Sequence, residues 1–225
     1  MKPPKIMVAH RCRIIGRAIC RVLEIEGFEV VLAETAAETT NRFTEEHPPD
    51  GLVVDVAMPG APGYEISLTA RASGVAVIIL VASVFRKTSY KRRPVRLYGA
   101  DDYVEIHHIG DALGKKLREQ LNWSADSPNS SNVREIVRQI NENGDNRLER
   151  LSPQQLASVL VSDIILYHGD KLVDIDDKIA IDQLLQVPLQ EAKKIFLHYF
   201  EIEDEHVVDQ EFSNIVWRMA MRAPG

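Results

Sequence analysis

Asp55 is the residue best placed to do chemistry. It closes the apolar run Gly51-Leu52-Val53-Val54-Asp55, and Met58-Pro59-Gly60-Ala61-Pro62-Gly63-Tyr64-Glu65 follows almost at once. A buried strand that ends in a carboxylate, then a Pro/Gly-rich turn into a helix, puts an acid in the ligand crevice of an open α/β sheet. An acid there can accept a phosphoryl group if further carboxylates hold a hard cation that offsets the charge of the transferring group.

The elements that must position Asp55 are legible as alternating strand and helix patterns. Lys5 to Ala9, Phe28 to Ala33, Leu52 to Val56, Val75 to Ala82 and Asp101 to Glu105 read as strands. Between them, Ile14, Ile15, Ala18, Ile19, Val22 and Leu23 fall at helical spacing, and Ala36 to Glu46, Gly63 to Ser73 and His108 to Leu121 read as helices. Parallel neighbours need crossover helices, so the first half is expected to be an α/β, doubly wound, five-stranded parallel sheet. Asn122 to Asn132 is a polar linker. Beyond it the strand signals nearly vanish, and an all-α domain is expected. Ser152-Pro153-Gln154-Gln155 carries a helix N-cap, a proline at the first helical position and a glutamine three residues after the cap. Helices also read over Val133 to Asn141, Asp176 to Gln186 and Pro188 to Tyr199, with a last one lined by Val208, Phe212, Ile215, Val216 and Met219. Asp163 falls on the apolar face of its helix, as an inter-helix link or as a rim carboxylate paired with a nearby base.

With these units and the phrases Val54-Asp55-Val56-Ala57-Met58-Pro59-Gly60 and Tyr98-Gly99-Ala100-Asp101-Asp102-Tyr103-Val104, residues 5–121 resemble the receiver domain of bacterial response regulators. The expected organisation is a receiver-like (flavodoxin-like) domain over 1–121, a linker over 122–132 and an α-helical domain over 133–225. The helical half, through Val161-Ser162-Asp163-Ile164-Ile165-Leu166-Tyr167, more weakly resembles extensions found behind some receivers.

The resemblance makes Asp55 the phosphoacceptor candidate and exposes four departures around it. Receivers place two acids after the first strand to hold Mg²⁺; here those positions are His10 and Arg11. Histidine is a poor Mg²⁺ ligand and arginine is a fixed cation, which can substitute electrostatically but cannot coordinate metal. The Ser/Thr expected after the fourth strand aligns with Val81, with Ser83 as a possible substitute two residues on. The lysine after the fifth strand aligns with Ile106, and the following proline with His107. The expected protein is therefore a pseudo-receiver, signalling by protein contact without phosphate. Two alternatives stand beside it: a genuine phosphoacceptor, which would need Mg²⁺, and a transcriptional regulator with DNA-binding C-terminal helices.

Three further features have both a functional and a structural reading. Phe85 to Arg96 holds Arg86, Lys87, Lys91, Arg92, Arg93 and Arg96 with no acid. It lies where a receiver has the helix after its fourth strand, a surface for partners or dimerisation, or else a solvated basic face. Tyr103 matches the aromatic that changes rotamer in receivers, or is a half-buried strand tyrosine. His10, His107 and His108 are a candidate metal trio, or histidines of loops and helix starts.

Bulk properties bound the rest. Residues 1–121 carry 17 Lys/Arg against 15 Asp/Glu, and residues 122–225 carry 10 against 18, a net −8 that disfavours nucleic-acid binding by the second half. Cys12 and Cys20 lie eight residues apart in one predicted helix, about 12 Å of rise, too far for a disulfide. No run approaches the roughly 20 apolar residues of a membrane helix, and no signal-peptide pattern opens the chain. A cytoplasmic location follows as the expectation. No Gly-rich phosphate loop, nucleophile elbow or paired-cysteine metal site is present, so no enzyme activity and no cofactor are expected. Expected partners are proteins, a sensor kinase or other signalling proteins, with a homodimer possible; neither a membrane nor nucleic acid is expected.

Overall fold

The computed structural model describes residues 2–82, 94, 97–124, 133–138, 151–172, 175–200 and 205–222. The chain divides into two compact units, the first taking in Met1–Val84 and Leu97–Gly144, the second built on Asp145–Gly225.

In the first unit the five apolar runs form β1 (Lys5–Ala9), β2 (Glu29–Ala33), β3 (Gly51–Asp55), β4 (Val77–Ala82) and β5 (Asp102–Glu105). All neighbours pair in parallel, in the order β2-β1-β3-β4-β5. This is the flavodoxin-like doubly wound order, with its ligand crevice at the C-terminal ends of β1 and β3. Every residue of β3 and β4 is buried, as a parallel sheet covered on both faces requires. Ile6, Val8, Val53, Ile79, Val81 and Val104 share one apolar cluster with Ile15, Ile19, Val22 and Leu23 of α1 (Arg13–Ile25). The other face is covered by α2 (Ala36–Asn41) and α3 (Gly63–Ala72). After β5 the chain passes through a 3₁₀ turn, Ile106–His108, and a π turn, Ile109–Leu113, into α4 (Gly114–Gln120).

Gly63 explains the spacing from Asp55 to the start of α3. A Cβ at Gly63 would lie 2.4 Å from the Asp55 carbonyl oxygen and 2.9 Å from the Val56 Cα. The Gly63 amide donates to the Val56 carbonyl at 3.0 Å, so α3 is seated directly on the end of β3. Neither obstacle is a flexible side chain. Gly63→Ala is expected to cost about 2–3 kcal/mol in urea unfolding, the scale of an overpacked core; a loss below about 0.5 kcal/mol would contradict this close approach.

The boundary expected at residue 133 is displaced. Residues 133–138 form a short helix, α5, within the first unit. Val133 and Ile136 join the sheet's apolar cluster, and a Cβ at Gly110 would meet Val137 at 2.4 Å and Val133 at 3.0 Å. The physical reason is that α5 has an apolar face that the first unit already buries. Residues 125–132, most of the expected linker, lie outside the described residues.

The second unit is helical: α6 (Pro153–His168), α7 (Lys178–Leu184), α8 (Gln186–Tyr199) and α9 (Glu205–Arg222). The capping box forms as the sequence suggests, with Ser152 Oγ accepting from the Gln155 amide and Gln155 Oε1 from the Ser152 amide. α6 is buried around its whole circumference from Leu156 to His168 except at Ser158, and packs on α8 and α9. Phe196 of α8 meets Phe212 of α9 edge-on at 5.3 Å, and Lys193 pairs with Asp209 at 2.6 Å. Asp163 is 1% exposed, so it belongs to the interior of this unit and not to the rim of the apolar face.

Candidate functional site

Three elements converge on Asp55. β3 carries it at its C-terminal end, in register with Val81 of β4, and the loop after β1 brings His10 and Arg11 alongside. Asp55 is 0% exposed. Arg11 Nη1 donates to both carboxylate oxygens, at 2.8 Å to Oδ1 and 2.7 Å to Oδ2. The Ala57 amide donates to Oδ1 at 3.0 Å, a local turn closed by the aspartate itself. His10 Nδ1 lies 3.6 Å from Oδ2, beyond hydrogen-bond reach, and accepts the Cys12 amide at 3.0 Å.

Burial pushes the Asp55 carboxyl up, but the opposing influences together exceed it. The Arg11 guanidinium leads them, followed by His10 and the amides of Ala57 and Arg11, and the net result is a carboxyl below its ordinary value. Asp55 is thus an ionised, fully buried acid in a charge-assisted hydrogen-bond cage.

This donor set does not fit Mg²⁺. A hard cation needs several oxygen ligands. Here the positions beside Asp55 hold an imidazole whose Nδ1 is engaged by a backbone amide and a guanidinium that already spans both oxygens. The remaining aligned positions contribute no polar group: Val81 is 0% exposed within the apolar cluster, and Ile106 packs against that same cluster. Ser83 lies outside the described residues, as do Arg86, Lys87, Lys91, Arg92, Arg93 and Arg96.

Tyr103 is partly buried on β5, paired in register with Leu80, and Lys116 Nζ stands 5.8 Å from its ring centre. Lys116 also pairs with Asp102, so the tyrosine sits under a tethered cation. Next to it, Asp101 fastens β4 to the turn before β5. Its Oδ2 accepts from the Ile78 amide at 2.7 Å and from Arg71 Nη2 at 2.6 Å. The histidine trio is not brought together. His10 belongs to the Asp55 site, while His107 and His108 cluster with Glu105, a residue that the sequence reading passes over. Burial pushes the Cys20 thiol up to about 12, which removes it as a nucleophile at neutral pH.

Comparison with known proteins bears on the first unit. The family described as response regulator receiver domain matches residues 6–108. Residues 6–108 are a response regulator receiver domain. The response regulator MprA of Mycolicibacterium vanbaalenii is 32% identical over 120 residues, covering 53% of this chain and 51% of that protein. The MprA of Mycobacterium avium is 33% identical over 118 residues, covering 52% and 50%. The chain thus spans about half the length of the curated relatives it matches. Among solved structures, the response regulator TrrA from Thermotoga maritima in complex with Mg²⁺ and BeF is 25% identical. It covers 52% of this chain and 98% of that one, with a TM-score of 0.45. No helix among the described residues is long and apolar enough to cross a membrane.

Proposed function

We propose that this receiver domain is a pseudo-receiver: it signals by protein contact and keeps Asp55 unphosphorylated. The observation that carries the reading is the Arg11 guanidinium on both oxygens of a fully buried Asp55. Phosphoryl transfer needs a carboxylate oxygen able to attack in line, a cation to offset charge, and donors for the new oxygens. Arg11 engages both oxygens with a fixed cation, and Val81 and Ile106 supply neither hydroxyl nor ammonium. The domain then serves as a docking module of a two-component type system, without catalytic activity of its own and without Mg²⁺ at Asp55. In this reading it works in the cytoplasm, and its partners are a sensor kinase or other signalling proteins, or a second copy. The net −8 of residues 122–225 opposes the DNA-binding alternative.

The test uses the full chain with Mg²⁺ and beryllofluoride, read by fluorine NMR, and with a small phosphodonor, read by intact mass. No adduct is expected. A stable adduct that disappears in Asp55→Ala would establish the phosphoacceptor alternative instead.

A further inference from the structure

Glu105 ends β5, with its backbone held in register against Ala82 of β4. The 3₁₀ turn Ile106–His108 follows, and Ile106 packs inward on the apolar cluster. The two imidazoles come next, their ring centres 4.1 Å apart. His107 Nε2 stands 3.2 Å from Glu105 Oε2. One ligand atom from each of Glu105, His107 and His108 lies within 4.8 Å of the other two.

From this geometry we propose that Glu105, His107 and His108 form a three-ligand site for a borderline transition-metal ion, with Zn²⁺ as the reference ion. Metal–ligand bonds of about 2.0–2.2 Å set ligand atoms roughly 3.4 Å apart around a tetrahedral ion. The His107–Glu105 separation is already close to that edge. His108 is exposed, so its side chain moves onto an ion without repacking the interior. Two imidazoles and one carboxylate suit Zn²⁺, Ni²⁺ or Cu²⁺; Mg²⁺ and Ca²⁺ prefer all-oxygen sets. The residue between the ligands, Ile106, adds no like charge. Three protein ligands leave a further position for water, as in open zinc sites. A bound ion ties the end of β5 to the turn after it, at the edge of the receiver that carries Tyr103. The site uses none of the groups that contact Asp55, which are Arg11, His10 and the Ala57 amide.

The experiment titrates untagged, full-length protein with Zn²⁺ by calorimetry against a competing chelator, and with Co²⁺ by visible absorption. One ion per chain is expected, with the ligand-field bands of four-coordinate cobalt. Glu105→Gln, His107→Ala and His108→Ala are each expected to weaken binding at least about tenfold, the scale that loss of even an outer-sphere partner reaches. His108→Ala changes an exposed side chain, so circular dichroism should show it folded even if His107→Ala is not. Absence of Zn²⁺ and Co²⁺ binding overturns the proposal, as does unchanged affinity in folded His108→Ala.

Discussion

Arg11→Ala is expected to destabilise the protein by about 3–5 kcal/mol, read as a lower urea midpoint with an unchanged slope. The magnitude follows from what remains behind. Removing one partner of a buried ion pair leaves the other charge uncompensated in a low-dielectric interior. Asp55 is 0% exposed, and Arg11 supplies two of its hydrogen bonds. The Ala57 amide cannot replace a cation. Asp55→Asn is expected to be milder, because Arg11 reaches the surface and can be solvated once its partner is neutral. A loss under about 1 kcal/mol in Arg11→Ala would show the pair to be a surface-type contact.

The same substitution should introduce a pH dependence where the wild type has none from Asp55. In the wild type Asp55 is held below its ordinary value, so the unfolded chain binds its proton more readily than the folded one. Its stabilising contribution is complete above the unfolded pKa of about 3.9 and is lost as pH falls through the lower folded value. Between pH 8 and 5, Asp55 therefore gives the wild type a flat profile. Without Arg11 the largest single influence, burial, loses its main opponent and the carboxyl moves up. Stability of Arg11→Ala should then rise as pH falls across that window, measured by urea unfolding at each pH. A parallel pair of profiles would mean that the backbone amides and His10 hold Asp55 ionised on their own.

Arg11 marks where sequence reading reaches its limit. That a histidine and an arginine follow the first strand is legible in the sequence, because the strand before them is unambiguous. That the guanidinium lies across both oxygens is not legible, since a long side chain has many rotamers and packing selects among them. The strands are readable because each run starts at or within three residues after a Pro or Gly, namely Pro4, Gly27, Gly51, Gly74 and Gly99. Their edges drift where a turn borrows the first residues: β4 begins at Val77, since the Val75 amide still bonds back to Ala70 at the end of α3. The helix expected from His108 becomes α-helical only at Gly114, because apolar residues four apart, Ile109, Leu113 and Leu117, suit a π turn as well as an α-helix. The helix expected to reach Glu46 is α-helical only to Asn41. Thr39 and Thr40 bond back to the carbonyls of Thr35 and Ala36, local contacts that compete with helix propagation, and Arg42–Thr44 tightens to 3₁₀. For the cluster of Glu105, His107 and His108, the Glu-x-His-His spacing is the signal that the sequence carries. α5 is assigned to the wrong unit because a polar linker precedes it, and composition does not report which core an apolar face will join.

The double replacement His10→Asp/Arg11→Asp should convert the site from a cage into a cation site. Without metal, three carboxylates would converge with no counterion, so the apo protein is expected to lose more stability than Arg11→Ala and Asp55 should titrate upward. Mg²⁺ should restore that stability, because carboxylate oxygens replace the guanidinium as its ligands. Binding to the folded state alone contributes about 2.7 kcal/mol when the ion is present at a hundred times its dissociation constant. The wild type, by contrast, should show no shift in thermal midpoint with Mg²⁺, since Arg11 already covers both oxygens. Beryllofluoride should then give a weak adduct at Asp55 in the double variant, strengthened when Ile106→Lys adds the missing cation. Val81 still withholds a hydroxyl, so the adduct should remain labile. If Mg²⁺ stabilises the wild type as much as the variant, the Arg11 cage opens readily and Asp55 is chemically competent as it stands. If Mg²⁺ stabilises neither, the obstacle at Asp55 is the depth of its burial and the identity of its neighbours is secondary.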